Sequence, residues 1–173
     1  MGIFDRFKSK PQQTQQDNIA ENTEKNCIYA PIEGEIIPLA EIADGVFSEG
    51  ILGNGCGIKP AEGKMYAPFD GEVIQVADTK HAIGLLGKDG IELLIHVGMD
   101  TVSMNGKGFS PLVKTGDKVK CGQLMMDFSI SDIKDAGFVT TTAVVVTNSD
   151  NYEKIETEKL GQVQKLEKII KVS

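Results

Sequence analysis

One segment of this chain occurs twice. Ala30-Pro31-Ile32-Glu33-Gly34-Glu35-Ile36-Ile37 returns as Ala67-Pro68-Phe69-Asp70-Gly71-Glu72-Val73-Ile74, so both copies read A-P-apolar-acid-G-E-branched-I. A repeated supersecondary unit cannot bury its apolar face alone, and two copies predict a sheet assembled from duplicated halves. The glycine in each copy predicts a bend where two layers approach closely.

The rest of the chain supports strands. Short apolar or alternating runs are separated by turn signals at Asn54-Gly55, Asp89-Gly90, 105–108 (NGKG) and 115–117 (TGD). Nineteen glycines and six prolines agree with many turns. The β-branched stretch 140–148 (TTTAVVVTN) predicts a buried strand. Two short stretches look helical, Ser131–Gly137 with Ser131 as N-cap, and a weaker one around Tyr152–Leu160. The expected fold is all-β, an antiparallel β-sandwich of duplicated strand units with one or two short helices.

The 173 residues allow one domain with a tail. The domain is expected over residues 27–173. Residues 11–26 hold one large aliphatic residue and predict a flexible linker. In residues 1–10, Ile3, Phe4 and Phe7 lie at helical spacing among Arg6, Lys8 and Lys10. Ten residues are too few for a stable helix in water. The segment is either a frayed tail or an amphipathic surface that folds on anionic membrane.

A net charge of −7 argues against nucleic acid as a partner, since no basic stripe is present. Cys27, Cys56 and Cys121 lie far apart and form no CxxC pair, which disfavours a disulfide framework and suits a reducing compartment. No apolar run approaches the roughly 18 residues of a spanning helix, and the start lacks the apolar core of a secretory signal. A cytoplasmic location is expected, with weak membrane contact through residues 1–10 as a further option.

The chain has two histidines, and they flank a predicted hairpin. His81 opens HAIGLLG and His96 ends IELLIHVG. A two- or four-residue loop at 87–90 sets 81 opposite 96 on one face, with Cβ atoms roughly 4.5–5.5 Å apart. A three-residue loop places them on opposite faces. In the first register Ile83, Leu85, Glu92 and Leu94 share the outer face with the histidines. Ala82, Gly84, Leu86, Ile91, Leu93 and Ile95 then form the core face. Around the pair, the Thr79 hydroxyl is placed to orient His81. The Gly98 carbonyl can fix the His96 tautomer, and its missing side chain leaves room for an approaching partner. Asp100 either orients a ring or is an ordinary turn aspartate. A neutral imidazole is nucleophilic near pH 7 and suits phosphoryl carriage.

Thr79-x-His81-Ala82, followed by E-L-x-I-H-x-G-x-D-T-V and G-x-G-F over Glu92–Phe109, resembles the glucose-type IIA proteins of the bacterial phosphoenolpyruvate:sugar phosphotransferase system. The resemblance extends over nearly the whole chain. It includes A-P-x-x-G-E-I from Ala30, D-x-V-F at Asp44, Val46 and Phe47, the G-x-G near Gly53, I-K-P at Ile58–Pro60, A-P-x-D-G at Ala67–Gly71, G-D-x-V-x-x-G-x-L at Gly116–Leu124, and M-G-I-F-D at the start. It implies an antiparallel sandwich, His96 as phosphoryl acceptor, His81 as its second active-site histidine, and Thr79 as the hydroxyl that orients it. Asp44, Val46, Phe47 and Asp100 match the docking rim, to which the hairpin reading adds Ile83 and Leu94. The implied partners are a histidine-containing phosphocarrier upstream, the IIB part of a glucose-type permease downstream, and regulatory targets. No resident cofactor is implied beyond a transient phosphohistidine; zinc would need a partner's ligand beside His81 and His96.

Two rivals come from other chemistry. A zinc metallohydrolase on a related sandwich would need Asp100 as third ligand beside the two histidines. A biotin- or lipoyl-carrying domain would need Lys64-Met65 on an exposed hairpin.

Overall fold

The computed structural model describes residues 23–173, so the expectations for residues 1–10 and 11–22 lie outside the described residues. An eight-stranded antiparallel sheet faces two three-stranded sheets across a shared core of Ile, Val, Leu and Met side chains. In chain order the strands are β1 (Cys27–Tyr29), β2 (Gly34–Pro38), β3 (Asn54–Pro60), β4 (Lys64–Tyr66), β5 (Gly71–Val76), β6 (Ala82–Gly87) and β7 (Glu92–His96). There follow β8 (Phe109–Pro111), β9 (Lys118–Val119), β10 (Leu124–Phe128), β11 (Thr142–Val146), β12 (Ile155–Thr157), β13 (Gly161–Val163) and β14 (Lys168–Val172). The large sheet runs β13-β2-β3-β11-β7-β6-β5-β9, and the small ones run β1-β14-β12 and β4-β10-β8. This is the expected antiparallel β-sandwich.

The sequence repeat is a structural repeat. Tyr29 N–H donates to the Pro68 carbonyl (3.1 Å) and Tyr66 N–H to the Pro31 carbonyl (2.7 Å), so each copy of the A-P segment holds the other. Ala30 and Ala67 donate equivalently to Glu167 and Gln123. A Cβ on Gly34 would collide with the Lys59 carbonyl oxygen of the neighbouring strand, and one on Gly71 with that of Leu86. The repeat glycines therefore serve strand-to-strand contact within the sheet rather than a corner between sheets.

Several local expectations are corrected. The Asn54-Gly55 turn signal lies in β3, and the chain turns just before it, with Gly53 N–H bonded to the Gly50 carbonyl. The helix α1 spans Ile130–Asp135, and its cap is Ser129, whose Oγ accepts from Asp132 N–H (3.1 Å), not Ser131. The segment around Tyr152–Leu160 contains β12 instead of a helix. Residues 23–26, read as linker, are tied to the domain: Asn26 N–H donates to Asp89 and Lys168 pairs with Glu24. Lys64 is ion-paired with Asp127 (2.9 Å) and Met65 is fully buried, so the exposed Lys-Met hairpin of a biotinyl or lipoyl domain is not present. All three cysteines are buried free thiols, and burial pushes Cys56 up to about 12.

The largest correction is the hairpin. Its loop has three residues, Lys88, Asp89 and Gly90, closed by Gly87 N–H to the Ile91 carbonyl (2.8 Å), with Gly90 at φ 90°. A three-residue loop with glycine at a positive φ is a favoured hairpin closure. The register pairs Ala82 with His96, Ile83 with Ile95 and Leu85 with Leu93. Every face assignment on β6 is therefore inverted: Ile83 and Leu85 are fully buried in the core, and Leu86 is exposed. Ile83 cannot be a docking residue. Ile83→Ala is expected to cost about 2–5 kcal/mol of stability, and Leu86→Ala under about 1 kcal/mol. Urea unfolding midpoints of the two variants check this.

Candidate functional site: a recessed histidine pair

His96 ends β7 on the outer face of the large sheet, between Ala82 of β6 and Ala143 of β11. Two methyl side chains leave space above the sheet for larger groups. Phe47 fills one part of it, with ring centroids 5.0 Å apart, and His81 another, at 4.6 Å and nearly edge-on at 82°. The three-residue loop should have sent the histidines to opposite faces. They meet because His81 precedes β6, where the ladder's alternation no longer holds. Lys80 takes φ 63°, Ala77 N–H closes on the Ala82 carbonyl, and Val97 N–H bonds the His81 carbonyl. His81 is 7% exposed and also lies 6.4 Å from the Phe109 ring.

Each imidazole is held through Nδ1. The His96 Nδ1 lies 2.9 Å from the Gly98 carbonyl oxygen. A carbonyl only accepts, so Nδ1 carries the proton and Nε2 keeps a free lone pair. The His81 Nδ1 lies 2.8 Å from the Thr79 hydroxyl. A hydroxyl donates or accepts, and when it donates, His81 holds its proton on Nε2.

Gly98 is not an opening for a partner. It has φ 73°, and a Cβ there would press on the Thr101 methyl and the Val139 carbonyl. Thr101 is fully buried, and its hydroxyl donates to the Val97 carbonyl, bracing the loop that presents the Gly98 oxygen. Asp100 starts the next turn at φ 61° without capping it, and its carboxylate is exposed. Asp44 accepts backbone bonds from Val46, Phe47 and Ser48. Burial pushes its carboxyl up, but these donors outweigh burial and hold it below the usual range. Val46 is exposed, whereas Leu94 is half-buried beneath the Phe47 cluster. Sequence reading missed Ala143, Thr101, Phe109 and the exposed Val102 and Val139. Of these Thr101, Val102 and Phe109 lay inside a recognised motif, whereas Val139 and Ala143 lay outside it.

Burial lowers the pKa of both histidines. At His81 the neighbouring His96 lowers it further. At His96 the Gly98 acceptor and the charges of Asp44 and Asp100 oppose burial without overcoming it. Both rings are accordingly neutral at pH 7. Among the described residues no group of three His, Cys, Asp or Glu side chains could hold a metal ion, so Asp100 does not complete a zinc site and the metallohydrolase reading gains no support.

The chain is thus an antiparallel sandwich with a recessed pair of imidazoles on the outer face of its large sheet. A family model described as phosphoenolpyruvate-dependent sugar phosphotransferase system, EIIA 1, matches residues 26–152. The beta-glucoside-specific EIIBCA component of Bacillus subtilis is 39% identical over 167 residues, covering 96% of this chain and 27% of that protein. The glucose-specific EIIA component of Staphylococcus epidermidis is 41% identical, covering 84% of this chain and 89% of that one. The structure of glucose permease IIA from Mycoplasma capricolum matches with a TM-score of 0.77 at 33% identity, over 83% of this chain and 93% of that one. The chain belongs to the EIIA 1 family of the phosphoenolpyruvate-dependent sugar phosphotransferase system, a phosphotransferase family with a phosphoryl-transfer role in sugar uptake. It spans about a quarter of the multidomain EIIBCA relative. No helix among the described residues is long and apolar enough to cross a membrane.

Two measurements test the site. In an NMR titration both imidazoles should protonate below the ordinary value of about 6.5. Protonation removes the Nε2 lone pair of His96, so any nucleophilic reaction at that nitrogen should fall as the pH drops through the lowered pKa. Thr101→Val removes the hydroxyl that braces the Gly98 loop. It should cost about 1–3 kcal/mol of stability, and nitrogen chemical shifts should report a mixed His96 tautomer.

Proposed function

We propose that His96 accepts a phosphoryl group on Nε2 from an upstream phosphohistidine carrier protein and passes it to the IIB part of a sugar permease. The observation that carries this reading is the Gly98 carbonyl on His96 Nδ1, which leaves Nε2 as the nucleophile. As the Nε2 lone pair forms the new P–N bond, the donor's P–N bond breaks and its electron pair leaves with the donor's ring nitrogen. Phosphoryl transfer asks for in-line positioning and charge stabilisation. His81 supplies the second: with the Thr79 hydroxyl donating to Nδ1, its Nε2–H donates to a phosphoryl oxygen. The recess excludes water from the phosphoramidate.

The partners follow from the setting. Val46, Val102 and Val139 stand beside the site as exposed apolar groups that fit a docking protein. The fused EIIBCA relative carries its EIIB part in one chain, and here IIB would come from a separate protein or domain. The upstream donor is a histidine-containing phosphocarrier. Regulatory targets would share this face, and any metal between the two imidazoles would draw its remaining ligands from a partner. The work is done in the cytoplasm, and residues 1–10 provide weak contact with the membrane that holds the permease.

Incubation with phosphoenolpyruvate and the upstream carrier system should add one phosphate mass, acid-labile and base-stable. His96→Ala should abolish the gain while the protein stays folded; normal uptake would overturn the assignment. His81→Gln should still accept phosphate but pass it on at least tenfold more slowly, because an amide holds an oxygen but shares no proton as imidazole does. Onward transfer at the wild-type rate would leave His81 a structural role only.

A further inference from the structure

The two histidines are not held alike. His96 ends a strand and lies between two neighbours in the large sheet, whereas His81 precedes β6 in a turn. The backbone of that turn is closed. Lys80 N–H bonds the Ala77 carbonyl (2.8 Å), and the His81 carbonyl accepts from Val97 N–H (2.8 Å). The His81 ring is less constrained. Its side-chain hydrogen bond goes to Thr79, two residues away in the same turn, through a hydroxyl that can rotate with it.

One segment, 106–109, meets both residues 80 and 81. Lys80, at φ 63°, lays its stem over Gly106, where a Cβ would meet the Lys80 Cδ at 3.4 Å. A left-handed backbone is strained for a lysine and persists where its surroundings over-determine it. His81 packs against Phe109, with ring centroids 6.4 Å apart at 69°. That is the separation and tilt of an edge-to-face aromatic pair. The Phe109 ring is itself fixed by the core, in which it is buried. Its N–H bonds the Gly106 carbonyl (3.2 Å), β8 pairs it with Phe128 of β10, and Ser129 N–H holds the Gly108 carbonyl (2.8 Å). His81 therefore has two ring neighbours, His96 at 4.6 Å and Phe109, and only Phe109 belongs to the main core.

We propose that Phe109 is a positioning residue: its core-anchored ring holds the His81 imidazole so that the Thr79 bond is kept and Nε2–H points at the phosphoryl group carried on His96. This rests on the reading of His96 as phosphoryl acceptor and of His81 as the donor to its phosphoryl oxygen. The rival is a phenylalanine that only fills the core, so that its loss loosens the sandwich as any core loss does. Phe128 separates the two. It is the cross-strand neighbour of Phe109, is buried to the same degree in the same core, and has no ring contact with a histidine among the described residues. A change at Phe109 acts on the hydrogen-bond donor and not on the nucleophile, so its effects should resemble those of His81→Gln rather than those of His96→Ala.

The test compares the wild-type chain with Phe109→Leu, Phe128→Leu, His81→Gln and the Phe109→Leu/His81→Gln double variant. One readout is the ring-nitrogen shifts of both histidines, which follow tautomer and hydrogen bonding and sense a neighbouring ring only weakly. The others are the rates of phosphate uptake from the purified carrier system and of onward transfer to the IIB part of a glucose-type permease. Phe109→Leu should take up phosphate within about twofold of the wild-type rate and pass it on about fivefold more slowly. Its His81 nitrogens should move toward the values of a mixed tautomer while those of His96 stay. Phe128→Leu should match the wild type in both nitrogens and both rates. The double variant should pass phosphate on no more slowly than His81→Gln. The proposal is overturned if Phe109→Leu leaves the His81 nitrogens unmoved, if Phe128→Leu moves them or slows onward transfer equally, or if the losses in the double variant add. If Phe109→Leu does not fold, Phe109→Met, which keeps more of the volume, is judged by the same outcomes. A wild-type chain that takes up no phosphate would sink the phosphocarrier reading, while the nitrogen shifts would still judge the placement of His81.

Discussion

Two backbone hydrogen bonds, exchanged between the A-P segments at Tyr29–Pro31 and Tyr66–Pro68, set the frame on which everything else hangs. Each copy of the repeat satisfies the polar groups of the other, so neither half is complete alone. The sheet order makes the symmetry explicit. In β13-β2-β3-β11-β7-β6-β5-β9, the outer strands β13 and β9, then β2 and β5, then β3 and β6, are equivalent pairs about the centre. The two small sheets correspond likewise, β1-β14-β12 with β4-β10-β8. The centre falls between β11 and β7, and the His96–Ala143 pair lies across it.

That placement explains how one histidine gathers its neighbours. The connectors from β2 to β3 and from β5 to β6 are equivalent in the repeat, and both rise at the end of the sheet where β7 stops. One brings Asp44 and Phe47, the other Thr79 and His81. Symmetry delivers two arms to the same spot, and divergence of their sequences makes one an apolar wall and the other a second imidazole. The small residues Ala82 and Ala143 leave the space in which the arms meet.

Burial does the electrostatic work. It drives both rings toward the neutral form, and the acceptor on Nδ1 then decides which nitrogen holds the lone pair. The acceptor is itself secured by tertiary contacts: Thr101 to the Val97 carbonyl, and Met99 N–H to the Val139 carbonyl. The lone pair on His96 Nε2 is thus set by ordinary loop geometry and desolvation.

The residues alone determined what is local. The duplicated A-P segments, the buried β-branched strand at 142–146, and the Thr79–His81 and His96–Gly98 contacts, each spanning two residues, could all be read from spacing and side-chain chemistry. Tertiary structure decided what local preference left nearly degenerate. A loop of two, three or four residues at Lys88–Gly90 differs little in local energy, yet it chooses which face of β6 is buried. The core chose the register that hides Ile83 and Leu85. Asp44, Phe47, His81, His96 and Ala143 became one site only through strand order, because contacts between residues far apart in the chain depend on the free energy of the whole sheet, which no local segment encodes.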